Sequence, residues 1–434
     1  MRPKGFKGFI LLTIGQLVSI SGSAMTQFGL GIWMWEKTGN ATPFSMITVA
    51  FFLSNVLFST FGGSLVDRLP RKTTLILPDL ASGIITCITL ILYLTNRLTL
   101  PFLYISSFFS GIFNAIQTPA YSVTMTAMLQ KEEYGKANGL FSLTQSAPNL
   151  IAPILAGALI GVIGLEGMMV IDIVTFLFAI SMVMLVDEGK TVSSEVKGIF
   201  KNILKDSISG FQYIAKRKGL LAILLIFLTV NGAAGFLNTL LSPMILAKFN
   251  DSSVILGWVQ TVFGAGSILG GLIMSIWGGT KKKVYTVLSG VFLLGVGSVF
   301  LGISYSLIVI LTTLLIIGFF VVLANASSQS ISQSIVPIEL QGRVFSAMRF
   351  ISSSAMVVSM AISGPLVDKV LYRYFVGENL LTHIFGVGKS ASMGFLITVA
   401  GIIVVVAAIV GSMNPLVLSV EDIRAEEDKE MVRV

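Results

Sequence analysis

Twelve long apolar runs restrict this sequence to very few folds. A helix needs about 20 predominantly apolar residues to cross the hydrocarbon core of a bilayer. Such runs fall near 9–35, 44–66, 73–95, 99–127, 138–164 and 167–186, and then near 219–247, 253–279, 284–303, 307–335, 344–368 and 392–412. They are too long and too uniformly apolar for barrel strands, so we predict an all-α membrane protein with twelve transmembrane helices.

The charged residues support a lipid environment. Only 12% of the residues are charged, whereas soluble domains carry about 25%. The net charge of +8 does not indicate nucleic acid, because the basic residues lie at the ends of apolar runs and form no basic-aromatic patch. We therefore expect the lipid bilayer to be a partner of this chain, and nucleic acid not to be one.

Lysine and arginine also predict the orientation of the helices. If the runs alternate in direction, 23 of the 29 basic residues fall on the side that holds both termini. Basic loops remain on the cytoplasmic side. We therefore expect a multi-pass protein of the cell membrane with cytoplasmic N- and C-termini. The basic N-terminus continues into a long apolar run without a cleavage site, which predicts a retained first span.

The runs form two groups of six, which predicts two halves. These are a six-helix half at 1–186, a cytoplasmic linker at 187–218, a six-helix half at 219–412 and a cytoplasmic tail at 413–434, acidic and mobile from Glu421. Gly157 and Gly364 are 207 residues apart, as are the glycine-cation pairs that follow helices 4 and 10. These offsets indicate parallel repeats related by an axis along the membrane normal.

Small and aromatic residues predict how the helices pack and where they end. Gly157 and Gly161 in helix 5, and Gly266 and Gly270 in helix 8, have the spacing that lets membrane helices approach closely. Trp33 and Trp35 are expected at the outer membrane interface.

The sequence contains no constellation for catalysis or for a metal. The single cysteine, Cys87, lies in an apolar run, and the single histidine, His383, is expected to face solvent. Without a nucleophile–base pair, a ligand cluster or a phosphate-binding loop, we expect neither an enzyme nor an ATP-driven pump. We likewise expect no cofactor.

The loop between helices 2 and 3 carries Asp67, Arg68, Arg71 and Lys72 within ten residues. A solvated, basic cytoplasmic loop explains Arg71 and Lys72 but does not explain Asp67. A carboxylate beside these cations suits a gating latch between two helix bundles, and Gly63 would allow a close helix approach.

The latch needs a contact for Asp67. We expect this carboxylate near the N-terminus of helix 11, around Phe345–Arg349, where unpaired amides and partial positive charge favour an anion. The second half has Lys281-Lys282-Lys283 at the corresponding place but no aspartate, so the latch is expected to be asymmetric.

Two carboxylates, Asp79 and Asp172, lie inside predicted spans and are candidates for proton coupling. A carboxylate at that depth must be paired or protonatable. We favour Asp79 because movement of the preceding loop could change its exposure to Arg68 or Arg71. The alternative is a static ion pair that holds helix 3 against helix 2.

Polar side chains inside the spans predict a substrate cavity between the halves. In helix 1, Gln16, Ser19, Ser23 and Gln27 recur every three or four residues and form one stripe. The other candidates are Asn114, Gln117, Gln145, Asn149, Asn231, Asn238, Asn325 and Gln329. The alternative for each is hydrogen bonding between helices, worth about 0.6 kcal/mol. Such a cavity suits a bulky, amphipathic or largely neutral solute.

The loop also resembles the signature of the major facilitator superfamily, G-x-x-x-D-R-x-G-R-R. The matching residues are Gly63, Asp67, Arg68, Arg71 and Lys72, and Pro70 replaces a glycine. Helix 1 resembles the macrolide-efflux and enterobactin-exporter branch of this superfamily. That branch shares several features with this sequence: Gly15-Gln16, Ser19 and Gly22-Ser23 in helix 1, and an aspartate like Asp79. It also shares a tryptophan, here Trp33, that is followed after four residues by Thr38-Gly39. Thr13 and Ser82 depart from that branch, which has an aromatic residue and an arginine there.

The resemblance implies a monomeric secondary transporter with the major facilitator fold. Its expected activity is proton-coupled efflux of a drug-like or amphipathic small molecule such as a macrolide. Two alternatives remain open: an exporter of a siderophore or lipid-like metabolite, and a membrane receptor or scaffold that does not transport. The cavity and the buried carboxylates favour transport.

Overall fold

The computed structural model describes residues 5–66, 70–130, 133–186, 212–336 and 338–422, and the regular elements in these ranges are all helical. The first long helices are α1 (Gly5–Thr38), α2 (Ala41–Val66), α3 (Arg71–Leu94) and α4 (Leu100–Met128). The stretch Tyr134–Leu185 contains α5 (134–163) and α6 (165–185), which meet at Gly164. Gly164 has φ 67°, a conformation that glycine adopts without steric cost.

The second set of long helices has a longer final connection. It contains α7 (Lys218–Lys248), α8 (Ser253–Trp277), α9 (Lys283–Ile303), α10 (Leu307–Ile335), α11 (Ile338–Pro365) and α12 (Lys389–Met413). Between α11 and α12 lie a π-helical turn (Leu366–Leu371), a 3-10 turn (Tyr372–Phe375) and a short helix (Leu380–Phe385). Short turns at Pro415–Leu418 and Val420–Asp422 follow α12.

Ten helices in the described residues are long and apolar enough to cross a membrane. One of these spans, Leu150–Leu185, contains the break at Gly164. The all-helical membrane fold predicted from the sequence is therefore confirmed, while the number of twelve spans stays a prediction.

The chain forms two compact units. One contains the residues up to Lys197 together with Phe249–Thr261, and the other contains Gly198–Lys248 and Val262–Val434. Within the first unit α1 and α3 pack on α6, and α2 packs on α4. Within the second, α7 packs on α11 and α12, and α9 packs on α10 and α12. The predicted boundaries of the halves, linker and tail stay a prediction.

Glycines let helix backbones touch in both units. In the second unit, a Cβ on Gly266 or Gly270 would collide with the carbonyl of Leu315 or Phe319 on α10. In the first, a Cβ on Gly157 would lie 2.9 Å from the carbonyl oxygen of Ser253, whereas one on Gly161 would have no neighbour within 4 Å. Three of the four glycines that were predicted to allow close helix packing therefore do so, and Gly161 is the exception.

Trp35 is buried within the protein, and its location at the outer membrane interface stays a prediction. Its side chain is only 7% exposed, and its Nε1 donates a hydrogen bond to Asp251 Oδ1 at 2.8 Å. Trp33 instead makes an edge-to-face contact with Tyr93 on α3. A buried indole gains from pairing its N–H, which explains why Trp35 turns inward.

Glu421, at the start of the acidic tail, makes defined contacts, while the tail after Asp422 lies outside the described residues. The Glu421 carboxylate accepts hydrogen bonds from the backbone nitrogens of Lys283 and Val284 at 3.0 and 3.2 Å. These nitrogens open α9, where unpaired N–H groups and the helix dipole favour an anion. Val417 and Val420 are buried nearby, so packing and capping both hold this segment.

Helix α11 begins earlier than predicted. Its first residue is Ile338, so Phe345–Arg349 lie about two turns inside the helix and not at its N-terminus. The N-terminus of helix 11 was therefore placed too far along the chain, while the contact of Asp67 lies outside the described residues and stays a prediction.

Candidate functional site

A closed polar cluster surrounds Asp79 inside the first unit. Gln16 Nε2 on α1 donates to Asp79 Oδ2 at 2.6 Å, and Gln117 Nε2 on α4 donates to Oδ1 at 2.8 Å. Gln117 Nε2 also lies 2.9 Å from Gln16 Oε1. Asp79 is 4% exposed and Gln16 is 2% exposed. Three helices thus hold one buried carboxylate through two neutral amides.

Asp172 has a comparable environment farther along the same unit. Ser23 on α1 donates to Asp172 Oδ1 at 2.8 Å, and Thr86 on α3 donates to Oδ2 at 2.9 Å. Asp172 is 3% exposed. Gly22 allows this close approach of α1 and α6, because a Cβ there would collide with Thr175 Oγ1 and would lie 3.2 Å from the Asp172 Cα. Both buried carboxylates are therefore held by uncharged donors.

The polar stripe of α1 connects the two carboxylate sites. Gln16 and Ser23 are two turns apart, about 10 Å along the helix, and each contacts one carboxylate. Ser19 lies between them and is buried, whereas Gln27 is exposed. The stripe was recognised from its spacing, but its carboxylate partners were not predicted. A cavity-lining role for these four residues stays a prediction.

Other predicted cavity residues have exposed side chains although they lie well inside long helices. These are Asn114 on α4, Asn238 on α7, and Asn325 and Gln329 on α10. Asn238 donates to the backbone oxygen of Ala234, and the half-buried Asn231 donates likewise to Phe227. An amide facing hydrocarbon is costly, so an exposed amide in a span favours a water-accessible surface.

Part of the predicted site lies outside the described residues. Asp67 and Arg68 belong to the gap after α2. The side chains of Arg71 on α3, and of Gln145 and Asn149 on α5, also lie outside the described part of the structure. Gly63 lies in α2 and Lys72 in the first turn of α3. Pro70, with φ −55° and ψ 137°, immediately precedes α3. Within the described ranges no group of His, Cys, Asp or Glu could hold a metal ion.

Sequence reasoning missed three polar partners. Thr86 binds Asp172, and Asn55 Nδ2 on α2 donates to Asn114 Oδ1 at 2.9 Å. Tyr121 is buried and donates to the Leu12 backbone oxygen at 3.0 Å. Asn55 could have been found as an amide in a predicted span. Threonine and tyrosine are too common in membrane helices for Thr86 or Tyr121 to stand out.

Thiol labelling tests the exposed amides of α10. In a Cys87→Ser background, which removes the only cysteine, we expect Asn325→Cys and Gln329→Cys to react with a membrane-impermeant thiol reagent. Ile316→Cys is the matched control, since Ile316 is exposed on the opposite side of the same helix. We expect labelling at positions 325 and 329 to be about tenfold faster than at 316, or more, because the reactive thiolate forms only where water reaches the cysteine. Equal rates would contradict a water-accessible amide surface.

Comparison with known proteins places these features in a family. The family model described as Major Facilitator Superfamily matches residues 12–360. The chain belongs to this superfamily. "Macrolide efflux protein A" from Streptococcus pyogenes is 26% identical over 368 residues, which cover 83% of this chain and 90% of the relative. "Multidrug efflux pump Tap" from Mycolicibacterium fortuitum is 22% identical, covering 87% of this chain and 94% of the relative.

A solved structure supports the fold of this superfamily member. A bacterial homologue of the human lysosomal transporter Spinster, in an inward-facing and unoccupied conformation, aligns with a TM-score of 0.70. The alignment covers 96% of this chain and 97% of that one at 13% identity, which shows a shared fold alone. The expected resemblance to the macrolide-efflux branch is confirmed by the curated relatives. The chain is thus a multi-pass transporter of the major facilitator superfamily.

Proposed function

We propose that this transporter exports drug-like or amphipathic compounds, such as macrolides, in exchange for protons. It would act as a monomer in the cell membrane, with both termini in the cytoplasm. The efflux proteins among its relatives support the substrate class, and the basic residues at the termini and the linker support the orientation.

The proposal rests mainly on one observation: the hydrogen-bond partners of the Asp79 carboxylate are uncharged. Its two oxygens bind amides of α1 and α4, so protonation does not break an ion pair with these partners. A Gln side chain can turn its oxygen or its nitrogen toward a neighbour, so the same cluster can bind a carboxylate or a carboxylic acid. Asp79 is therefore the proposed proton carrier, and Asp172 is the second candidate.

The exposed amides support a polar substrate path. Asn114 in the first unit and Asn238, Asn325 and Gln329 in the second offer donors and acceptors without full charges. Neutral amides can bind hydroxyl and carbonyl groups of a large solute without the desolvation cost of an ion pair. This chemistry favours amphipathic compounds over small anions.

A susceptibility panel tests the substrate class. Cells that express the protein are compared with cells that express the Asp79→Asn variant at equal protein level. We expect the intact protein to raise the inhibitory concentration of macrolides or other amphipathic drugs, and the variant to give no such protection. If susceptibility to every drug is unchanged and the cells export a siderophore or a lipid-like metabolite, that metabolite and not a drug is the substrate.

A further inference from the structure

The connection between α11 and α12 is longer and more structured than the comparable connections between other helices. The connections that follow α1, α3, α7 and α9 are short turns, whereas residues 366–388, the α11–α12 segment, form three helical pieces. The first half joins the corresponding helices, α5 and α6, at Gly164 alone. The segment is therefore an addition to the repeat, and turning the chain does not require it.

The α11–α12 segment is firmly packed on one face. Phe375 and Phe385 are buried, and their rings lie 5.7 and 5.4 Å from the ring of Phe395 on α12. Asn379 caps the short helix by accepting from the Thr382 nitrogen at 3.0 Å. This packing fixes which side chains point away from the protein.

The turn before α10 also holds the segment. The Tyr305 hydroxyl donates to the Phe385 backbone oxygen, and burial raises the pKa of Tyr305, so the phenol keeps its proton as a donor. The hydrogen bond with Ser390 acts in the opposite direction on that pKa. The short helix is thus attached to two neighbouring elements.

The opposite face is apolar and exposed. Leu380 is 76% exposed, and Val376, Ile384 and Val387 are also exposed. On the short helix the buried Thr382 and Phe385 and the partly buried Leu381 lie on the side away from Leu380 and Ile384. Four large aliphatic side chains in so short a stretch form a patch of the kind that marks an interaction surface.

Cations and tyrosines border this patch. The Arg373 guanidinium lies 4.9 Å from the ring centre of Tyr374, and Lys389 Nζ lies 5.7 Å from that of Tyr372. Both tyrosines are exposed. Amphipathic aromatic rings beside cations are typical of the headgroup region of a bilayer. The candidate span Ala347–Phe375 ends within the segment and the candidate span Lys389–Met413 begins directly after it, so a lipid leaflet is the surface that the exposed residues meet.

We propose that the α11–α12 segment is a membrane-interface anchor whose side chains Val376, Leu380, Ile384 and Val387 insert into the adjoining phospholipid leaflet. The side chains of Arg373, Tyr372 and Tyr374 would lie at headgroup depth. This inference does not depend on the transported compound or on proton coupling.

Spin labels test the anchor in reconstituted protein. In the Cys87→Ser background, nitroxides are attached at Leu380→Cys and Ile384→Cys, with Glu378→Cys as an exposed polar control in the same segment. In phospholipid liposomes we expect collisions with oxygen to be favoured over those with a polar nickel chelate at 380 and 384. The ratio should exceed that at 378 about tenfold, since oxygen concentrates in lipid and the chelate does not enter it.

Each other outcome overturns the anchor. Similar ratios at 380, 384 and 378 would mean that the apolar face lies in water. Low collision rates with both reagents would mean that protein, such as a second copy of this chain, covers the face. Gel filtration of each labelled variant shows that it is folded, and Val387→Cys replaces any position at which the label disturbs folding.

Discussion

Asp79→Asn is expected to abolish gradient-driven export while leaving substrate binding largely intact. The variant keeps the size of the side chain and can still accept a hydrogen bond from Gln16 or Gln117. A neutral amide cannot bind and release a proton in the physiological range, so we expect the rate of proton-driven transport to fall roughly tenfold or more. Exchange of labelled for unlabelled substrate, which needs no proton gradient, should continue.

Two variants serve as controls for this result. Asp79→Glu retains a carboxyl group and should recover part of the gradient-driven transport. Asp172→Asn is the matched substitution, because Asp172 is equally buried and also accepts bonds from two uncharged side chains. Loss of coupling in Asp172→Asn but not in Asp79→Asn would assign the proton to the other site. Loss of folded protein in Asp79→Asn would favour a structural role.

Gly266→Val is expected to remove most of the folded protein. A Cβ at this position would collide with the Leu315 backbone oxygen, and a helix backbone cannot move aside as a side chain can. The helices α8 and α10 would have to separate, at a cost typical of overpacking, about 1–3 kcal/mol or more. The measurement is the fraction of protein that remains monodisperse on gel filtration after heating.

Gly271→Val is the control within the same helix. A Cβ on Gly271 would meet only Val322 Cγ1, at 4.0 Å, so we expect stability close to that of the unchanged protein. Equal loss in both variants would mean that valine itself, and not the contact with α10, destabilises α8.

The apolar runs in the sequence predicted the helices because a bilayer strongly restricts the length and the polarity of a segment that crosses it. Helices α9 and α10 begin within one residue of the predicted runs. The start of α11 was missed because its first turns, from Ile338, carry charged and polar residues that do not read as a span. Hydropathy detects the membrane-embedded part of a helix and not its extension beyond the bilayer.

The sequence shows where polar residues lie in the spans, but it predicts poorly which residues they contact. The spacing of Gln16 and Ser23 placed both on one side of α1, but their contacts depend on how α3, α4 and α6 pack around it. Glu421 illustrates the same limit. Its neighbours in sequence predict a solvated acidic tail, while its partners, at the start of α9, are distant in sequence.

Proton-coupled export is most directly tested by flux into reconstituted liposomes. A radiolabelled macrolide is added outside vesicles with an acidic lumen, so that an exchanger would accumulate the drug as protons leave. The proposed mechanism predicts accumulation above the external concentration that a protonophore abolishes and that vesicles with Asp79→Asn do not reach. Uptake that only equilibrates, and that is the same with and without the proton gradient, would contradict it.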